Sequence, residues 1–384
     1  MENMPNNLPE MRKSDEDDPN KFEEKGQSSD LGKSRTIWII VLAFALLVCF
    51  GVIIWLVFSG RPDQKIQDNR PKESAEEQKK DKTSDFDESV VVNATEINLT
   101  DYDSNITITS PGEHTLSGIL NYSVFVKSDG PVTLNLNGIT ISSAETAAIA
   151  NRTTNPLNVV LLENTTNTLT DGGESKFDSA IFSYGPLTIS STGEEKTFGS
   201  LIISGRQKDG EGIATSDNNL EIQSGKIMIT ATDDGLNAGG ENGGTISING
   251  GVLWIRAGGD GIDSNKDISI NGGNILVMGS TEGGNAALDS DYGIVINGGN
   301  LVALGTDMLE NPLESSPQPF LSLNLNSTIK TGSTIYVKNT TTNKIVNFKT
   351  ESDFKTLVFS TPSLEKGNYE ISVDGQVVGT GEIK

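Results

Sequence analysis

The sequence predicts an all-β chain: a parallel β-helix of about seven coils, a small β unit after it, and a single transmembrane helix ahead of it. Three observations predict this. Residues 234–259 (DGLNAGGENGGTISINGGVLWIRAGG), 260–284 (DGIDSNKDISINGGNILVMGSTEGG) and 286–305 (AALDSDYGIVINGGNLVALG) repeat one pattern. That pattern is a small residue, Leu or Ile, Asn or Asp, then a short strand ending Ile-Asn-Gly-Gly and an alternating apolar strand. Its period of 22 to 26 residues is the length of one coil of a parallel β-helix. The chain carries 41 glycines, and Asn, Thr, Ser and Ile dominate after residue 90, the composition of short strands joined by tight turns. Finally, residues 37–58 contain no charge.

Residues 1–36 are polar, charged and poor in apolar side chains, as expected of a disordered cytoplasmic tail. The segment 37–58 is long enough to cross a bilayer, with Trp38 and Trp55 near its ends where interfacial aromatics belong. It exceeds a normal signal-peptide core, and Val57-Phe58-Ser59 is not a cleavage site of the A-x-A kind, so an uncleaved anchor is expected. Residues 59–92 are largely charged and read as a polar linker. Flanking Lys33 and Arg35 are matched by Arg61 and Lys65, so the charge bias is slight. The Asn/Thr-rich repeat domain decides the orientation, being expected outside, with the protein a single-pass protein of the cell membrane.

The repeat domain spans 93–316. Val124, Ile149, Ile181, Ile213, Leu236, Ile262 and Leu288 mark successive coils at spacings of 23 to 32 residues. The strands around Ile106, Ile108 and Leu116 are expected to cap its N-terminal end. Pro312, Pro317 and Pro319 break the pattern, and residues 317–384 hold a separate set of strands (STIYVKN, KIVNFKT, KTLVFST, NYEISVDG) suited to covering the last coil.

Alternation assigns the faces of one coil. Leu253 and Ile255 match Ile275 and Val277, then Leu301 and Ala303, and these columns point inward. Ile246 and Ile248 stack with Ile268 and Ile270, then Ile294 and Ile296. Asn249, Asn271 and Asn297 fall in one column before the Gly-Gly turn, where an Asn ladder satisfies turn backbone groups.

The third strand places acids side by side. Leu236, Ile262 and Leu288 face inward, so Asn237, Asp263 and Asp289 form one outward column and Glu211, Asp234 and Asp260 another, with Asp233 and Asp291 beside them. Neighbouring strands lie about 4.8 Å apart, and two carboxylates at about 5 Å repel by about 3 kcal/mol at an effective dielectric near 20. Such a stripe raises its pKa values or recruits a cation. Calcium fits the donor type, since it takes six to eight oxygens in flexible geometry. The expected metal ligands are therefore Glu211, Asp233, Asp234, Asp260, Asp263, Asp289 and Asp291; a bare acidic face is the alternative. No EF-hand loop accompanies them.

Other chemistries are excluded by composition. The net charge of −23 argues against nucleic acid, which needs a basic surface. One cysteine, Cys49, and one histidine, His114, leave no disulfide framework and no Cys/His metal cluster; the solitary His114 argues against a Ser-His-Asp triad and is expected to be structural or solvent-exposed. No catalytic residue is assigned.

A further outward column is apolar: Met228, Trp254, Leu276 and Val302, beside Thr230, Arg256, Met278 and Leu304. Either the C-terminal unit or a loop covers it, or it is a carbohydrate-binding surface with Trp254 stacking on a sugar ring and Arg256 pairing with a uronate.

The segments GEHTLSG (112–118), VTLNLNGITIS (132–142), the GLNA/GIDS/ALDS series with INGG, LVALGTDM (301–308) and KTLVFSTPSLEKGNYEISVDG (355–375) resemble a bacterial family of surface carbohydrate-binding β-helix proteins, allied in fold to pectate lyases. The resemblance covers roughly residues 95–384. It implies a right-handed parallel β-helix, bound calcium, and affinity for acidic or cellulosic polysaccharide, without implying catalysis. It carries the calcium role onto Asp234, Asp260, Asp263 and Asp289; Asn237 and Ala286 stand where their columns otherwise hold acids.

The expected function is thus calcium-dependent polysaccharide recognition by a membrane-anchored extracellular protein. The alternatives are a calcium-dependent polysaccharide lyase, for which Arg256, Arg206, Lys208 and Lys266 are the eligible bases, and a structural or adhesive surface protein.

Overall fold

The computed structural model describes residues 89–383 apart from 172–176, 206–208, 281–282 and 307. The expected tail, the membrane span 37–58 and most of the linker lie outside the described residues. Among the described residues no helix is long and apolar enough to cross a membrane.

The described chain is all-β, its helical content being a single 3₁₀ turn at Leu99–Asp101. Alternating burial shows why: in Val252–Arg256 and Leu157–Leu161 every second side chain is buried, the period of a pleated strand. Three sheets form. The first has nine strands, all parallel, running in chain order from Ser89–Val91 to Leu288–Ser290. The second, of 17 strands, is parallel through its repeats and ends antiparallel, where Phe354–Ser360 pairs with both Asn300–Gly305 and Phe320–Ile329. The third is a four-stranded antiparallel sheet within the C-terminal unit.

Register follows the repeat. Val90, Ile106, Val124, Ile149, Ile181, Ile213, Leu236, Ile262 and Leu288 pair in succession down the first sheet. In the second, Leu220, Ile246, Ile268 and Ile294 align, as do Ile227, Leu253, Ile275 and Leu301. Apart from Val90, which is exposed, these aliphatics make one continuous core. Two expectations need correction. The stack begins two strands earlier than the marked repeats, so Asn105–Ile108 continues it rather than capping it. Ser89–Val91, placed in the linker by composition, is the first strand. Neither carries the small–apolar–Asp signature, because the outward acids that define the signature belong only to the later repeats.

Two details bear on how tightly the repeats stack. The second glycine of each Gly-Gly turn has positive φ (Gly251 93°, Gly273 94°, Gly299 86°), a conformation a side chain resists. The Asn column bonds to itself rather than to turn backbone. Asn249 donates to Glu221 (2.6 Å), Asn271 to Asn249 (2.7 Å) and Asn297 to Asn271 (2.6 Å), since amides one strand apart meet head to tail. His114 is buried, its ring nitrogens facing the carbonyls of Ala94 (2.8 Å) and Ser110 (3.1 Å), a structural role.

Candidate functional site: an acidic face on the first sheet

The outer face of the first sheet changes character along the stack. Phe125, Ala150, Phe182 and Ala214 pair in one outward column and pack in an aromatic cluster with Phe177, over which Arg152 lies with its Cζ 3.5 Å from the Phe125 ring centroid. The same column continues as Asn237, Asp263 and Asp289. Small or aromatic residues therefore give way to acids without any break in backbone pairing.

The acids do more than face solvent. Asp234 is 8% exposed, and its Oδ1 accepts the backbone N–H of Asp260 at 2.7 Å. Asp260 repeats the contact with the backbone N–H of Ala286. Asn237 donates through Nδ2 to Glu211 Oε1 (2.7 Å) and Asp234 Oδ2 (3.0 Å). Its Oδ1 is buried and has no hydrogen-bond partner. At the end of the stack, the backbone N–H of Ser290 is held by Asp289 Oδ1 (2.9 Å) and by Glu310 Oε2 (2.6 Å).

Crowding sets the electrostatics. Burial, then the charges of Asp178, Asp234 and Asp233, push Glu211 up to about 9 against the opposing bond from Asn237. Burial raises Asp234 and Asp263 to about 7, with Asp233 and Asp260 leading the adverse charges on each respectively. Asp260 rises to about 6, chiefly through burial, despite the Ala286 N–H. Glu310 is raised to about 7, first by burial and then by a hydrogen bond with Asp289. Asp178 and Asp233 shift upward for the same leading reason, burial. Among the described residues no Lys or Arg forms an ion pair with Glu211, Asp234, Asp260, Asp263 or Asp289; the pairs are Lys330–Asp353 and Lys344–Glu365 in the C-terminal unit.

The structure thus brings Glu211, Asp233, Asp234, Asp260, Asp263 and Asp289 onto one face, with Asp291 exposed at its edge. Among the described residues no group of three His, Cys, Asp or Glu stands close enough to hold a metal ion as the side chains lie. The donor chemistry nevertheless suits a hard cation: every donor is an oxygen, the carboxylates repel one another, and a buried amide oxygen on Asn237 lacks a partner. Sequence reasoning missed two members. Asp178 falls in the column of Asp233, two strands away, and was readable by counting back three from Ile181 as from Leu236. Glu310 follows the repeats and left no signal.

Trp254 and Arg256 stand elsewhere, on the second sheet. The Trp254 Nε1–H donates to Glu351 Oε2 (3.1 Å), and the Arg256 guanidinium donates to the Glu351 carbonyl (2.9 Å) with its Cζ 5.3 Å from the Trp254 ring. The next residues of their columns, Leu276, Val302, Met278 and Leu304, are buried under Leu321, Leu357 and Phe359. The C-terminal unit therefore covers this part of the apolar strip. Of the eligible lyase bases, Arg206 and Lys208 lie outside the described residues.

Comparison with known proteins gives three results. A family model described as carbohydrate-binding domain-containing protein matches residues 102–347. No curated protein matches the chain. Among solved structures, the polysaccharide lyase-like protein from C. thermocellum, in a gadolinium derivative, is 23% identical, with a TM-score of 0.36 and coverage of 53% of this chain and 98% of that one.

Proposed function

The chain belongs to the family of carbohydrate-binding domain-containing proteins, and from that premise we propose that it binds polysaccharide, acidic or cellulosic, with calcium on the acidic face. In this reading the stacked parallel sheets form a right-handed parallel β-helix. Residues 37–58 anchor it as a single-pass protein of the cell membrane with the repeats outside, and the protein does not cleave its ligand.

One observation supports the cation most directly: the buried, unpaired Oδ1 of Asn237 among Glu211, Asp234 and Asp263. An uncompensated buried acceptor costs about 1–3 kcal/mol, and a cation satisfies it while relieving the crowded carboxylates. Neighbouring members of Glu211, Asp234, Asp260, Asp263 and Asp289 would share each ion once their side chains turn toward it, with Asp233, Asp291 and Glu310 at the margin. Calcium would supply positive charge on which an anionic glycan's carboxylates can also bind. The chain's own part is positional: Asp234 and Asp260 are fixed by backbone N–H groups of the following repeat. An outward carboxylate array is thereby held at strand spacing. Trp254 and Arg256, tied to Glu351, are proposed as a carbohydrate contact only where Glu351 releases them.

The test is retention of the full-length chain on immobilised polygalacturonate and cellulose, in calcium and in EDTA, with circular dichroism of each sample. Retention on either glycan that EDTA abolishes while the sheet spectrum persists is the expected result. Undiminished retention in EDTA would remove calcium from the binding step, and an unsaturated uronate product would make the protein a lyase.

A further inference from the structure

Tyr292 is the most exposed large hydrophobic side chain among the described residues, at 71%, yet its backbone is strapped down on every side. Its N–H donates to the carbonyl of Lys266 (3.2 Å), the preceding Asp291 N–H to Ser264 (3.1 Å), and the following Gly293 N–H to the Ser290 hydroxyl (2.9 Å). Gly293 has a φ of 148°, and a side chain there would run into Leu313, itself 40% exposed. Among the described residues the Tyr292 hydroxyl makes no hydrogen bond and its ring no aromatic contact. The contrast is Tyr369, 4% exposed, whose hydroxyl donates to the Glu365 carbonyl.

The hydrogen-bonded backbone fixes where the Tyr292 ring is mounted, and its exposed face is free to stack on an apolar surface, as Tyr does at binding sites. One strand earlier, at the register position of Tyr292, stands Lys266, half-buried and without an ion pair among the described residues. The spot lies at the end of the acidic face, next to Asp289 and Asp291.

We propose that Tyr292, flanked by Leu313 and Lys266, is a sugar-stacking subsite for a uronate-containing glycan. The apolar face of a pyranose ring lies on the Tyr292 ring against Leu313, and the ammonium of Lys266 pairs with the sugar carboxylate. Tyr restricts only two torsions and loses little entropy on binding, whereas a long flexible side chain would lose more. This assignment rests on the carbohydrate-binding reading above but is independent of calcium, since neither Tyr292 nor Lys266 is a metal donor.

The test is titration calorimetry of the full-length chain and its variants with oligogalacturonate and with a cello-oligosaccharide, in calcium. Tyr292→Ala is expected to weaken oligogalacturonate binding about ten-fold or more with an unchanged circular dichroism spectrum and thermal midpoint. Tyr292→Phe, which keeps the ring, retains binding; its loss would overturn stacking as the mode. Lys266→Gln weakens the acidic probe alone, and equal weakening of the neutral one would overturn the carboxylate pairing. Wild-type binding that Tyr292→Ala leaves unchanged overturns the subsite while leaving the carbohydrate reading intact. Failure of the wild-type chain to bind either probe overturns both.

Discussion

The side chain of Asp234 reaches the backbone of Asp260 in the next repeat, Oδ1 accepting its N–H at 2.7 Å, and Asp260 does the same to Ala286. A carboxylate here is both a backbone cap between repeats and a member of a repelling array. These two roles carry opposite energetic signs.

They separate on substitution. Asp234→Asn keeps an acceptor for the Asp260 N–H and removes one negative charge, though it gives up the Asn237 bond to Oδ2, so in EDTA it is expected to be clearly more stable than Asp234→Ala. Asp234→Ala leaves that N–H without its partner and is expected to destabilise by about 1–3 kcal/mol. Urea unfolding of the two variants in EDTA measures both. Destabilisation by Asn as large as by Ala would mean that the charge itself is paired.

Gly261 sits where one repeat packs closely on the next. A Cβ there would collide with Val277 Cγ1 and the Ala287 carbonyl, neither of which can withdraw without moving a core column. Gly261→Ala is expected to cost about 1–3 kcal/mol, seen as a lower urea midpoint. Gly284→Ala has open space around its Cβ but a φ of 97°, so its cost comes from backbone strain without a core clash.

The C-terminal unit is held on the second sheet by apolar contact. Phe359, fully buried, stacks on Phe348 at a centroid distance of 5.9 Å and belongs to the cluster containing Leu276 and Val302. Phe359→Ala is expected to destabilise by about 3–5 kcal/mol. Limited proteolysis in the C-terminal unit is the readout, and cleavage rates equal to wild type would show that other contacts fasten it.

How much of this was legible depended on periodicity. The columns through Leu253, Ile246 and Leu236 were readable because buried aliphatics recur at fixed offsets, and the outward acids Asp263 and Asp289 followed by parity. Val90 and Ile106 were not placed in the stack, because a three-residue strand of ordinary composition carries no signature of its own. Glu310 was invisible for a different reason: it reaches the Ser290 N–H from a connection outside the repeat, where no spacing constrains it. Trp254 was recognised as outward but not as engaged with Glu351, because the contact spans 97 residues of sequence.

The raised carboxylates fix the sign of the pH dependence. Glu211 at about 9, Asp234 and Asp263 at about 7 and Asp260 at about 6 all lie above the ordinary carboxylate range. The folded protein therefore binds more protons than the unfolded chain from about pH 4 upward, and stability falls as pH rises. Their contribution is fully present below the unfolded pKa, declines through pH 6 and 7, and is exhausted above about 9. In EDTA the thermal midpoint is thus expected to be higher at pH 5 than at pH 8. Saturating calcium binds the deprotonated form and should shrink that difference, because the ion replaces the protons as the neutralising charge. A midpoint that rises from pH 5 to pH 8 in EDTA would mean that the carboxylates are compensated by partners rather than crowded, and would remove the electrostatic ground for a cation on this face.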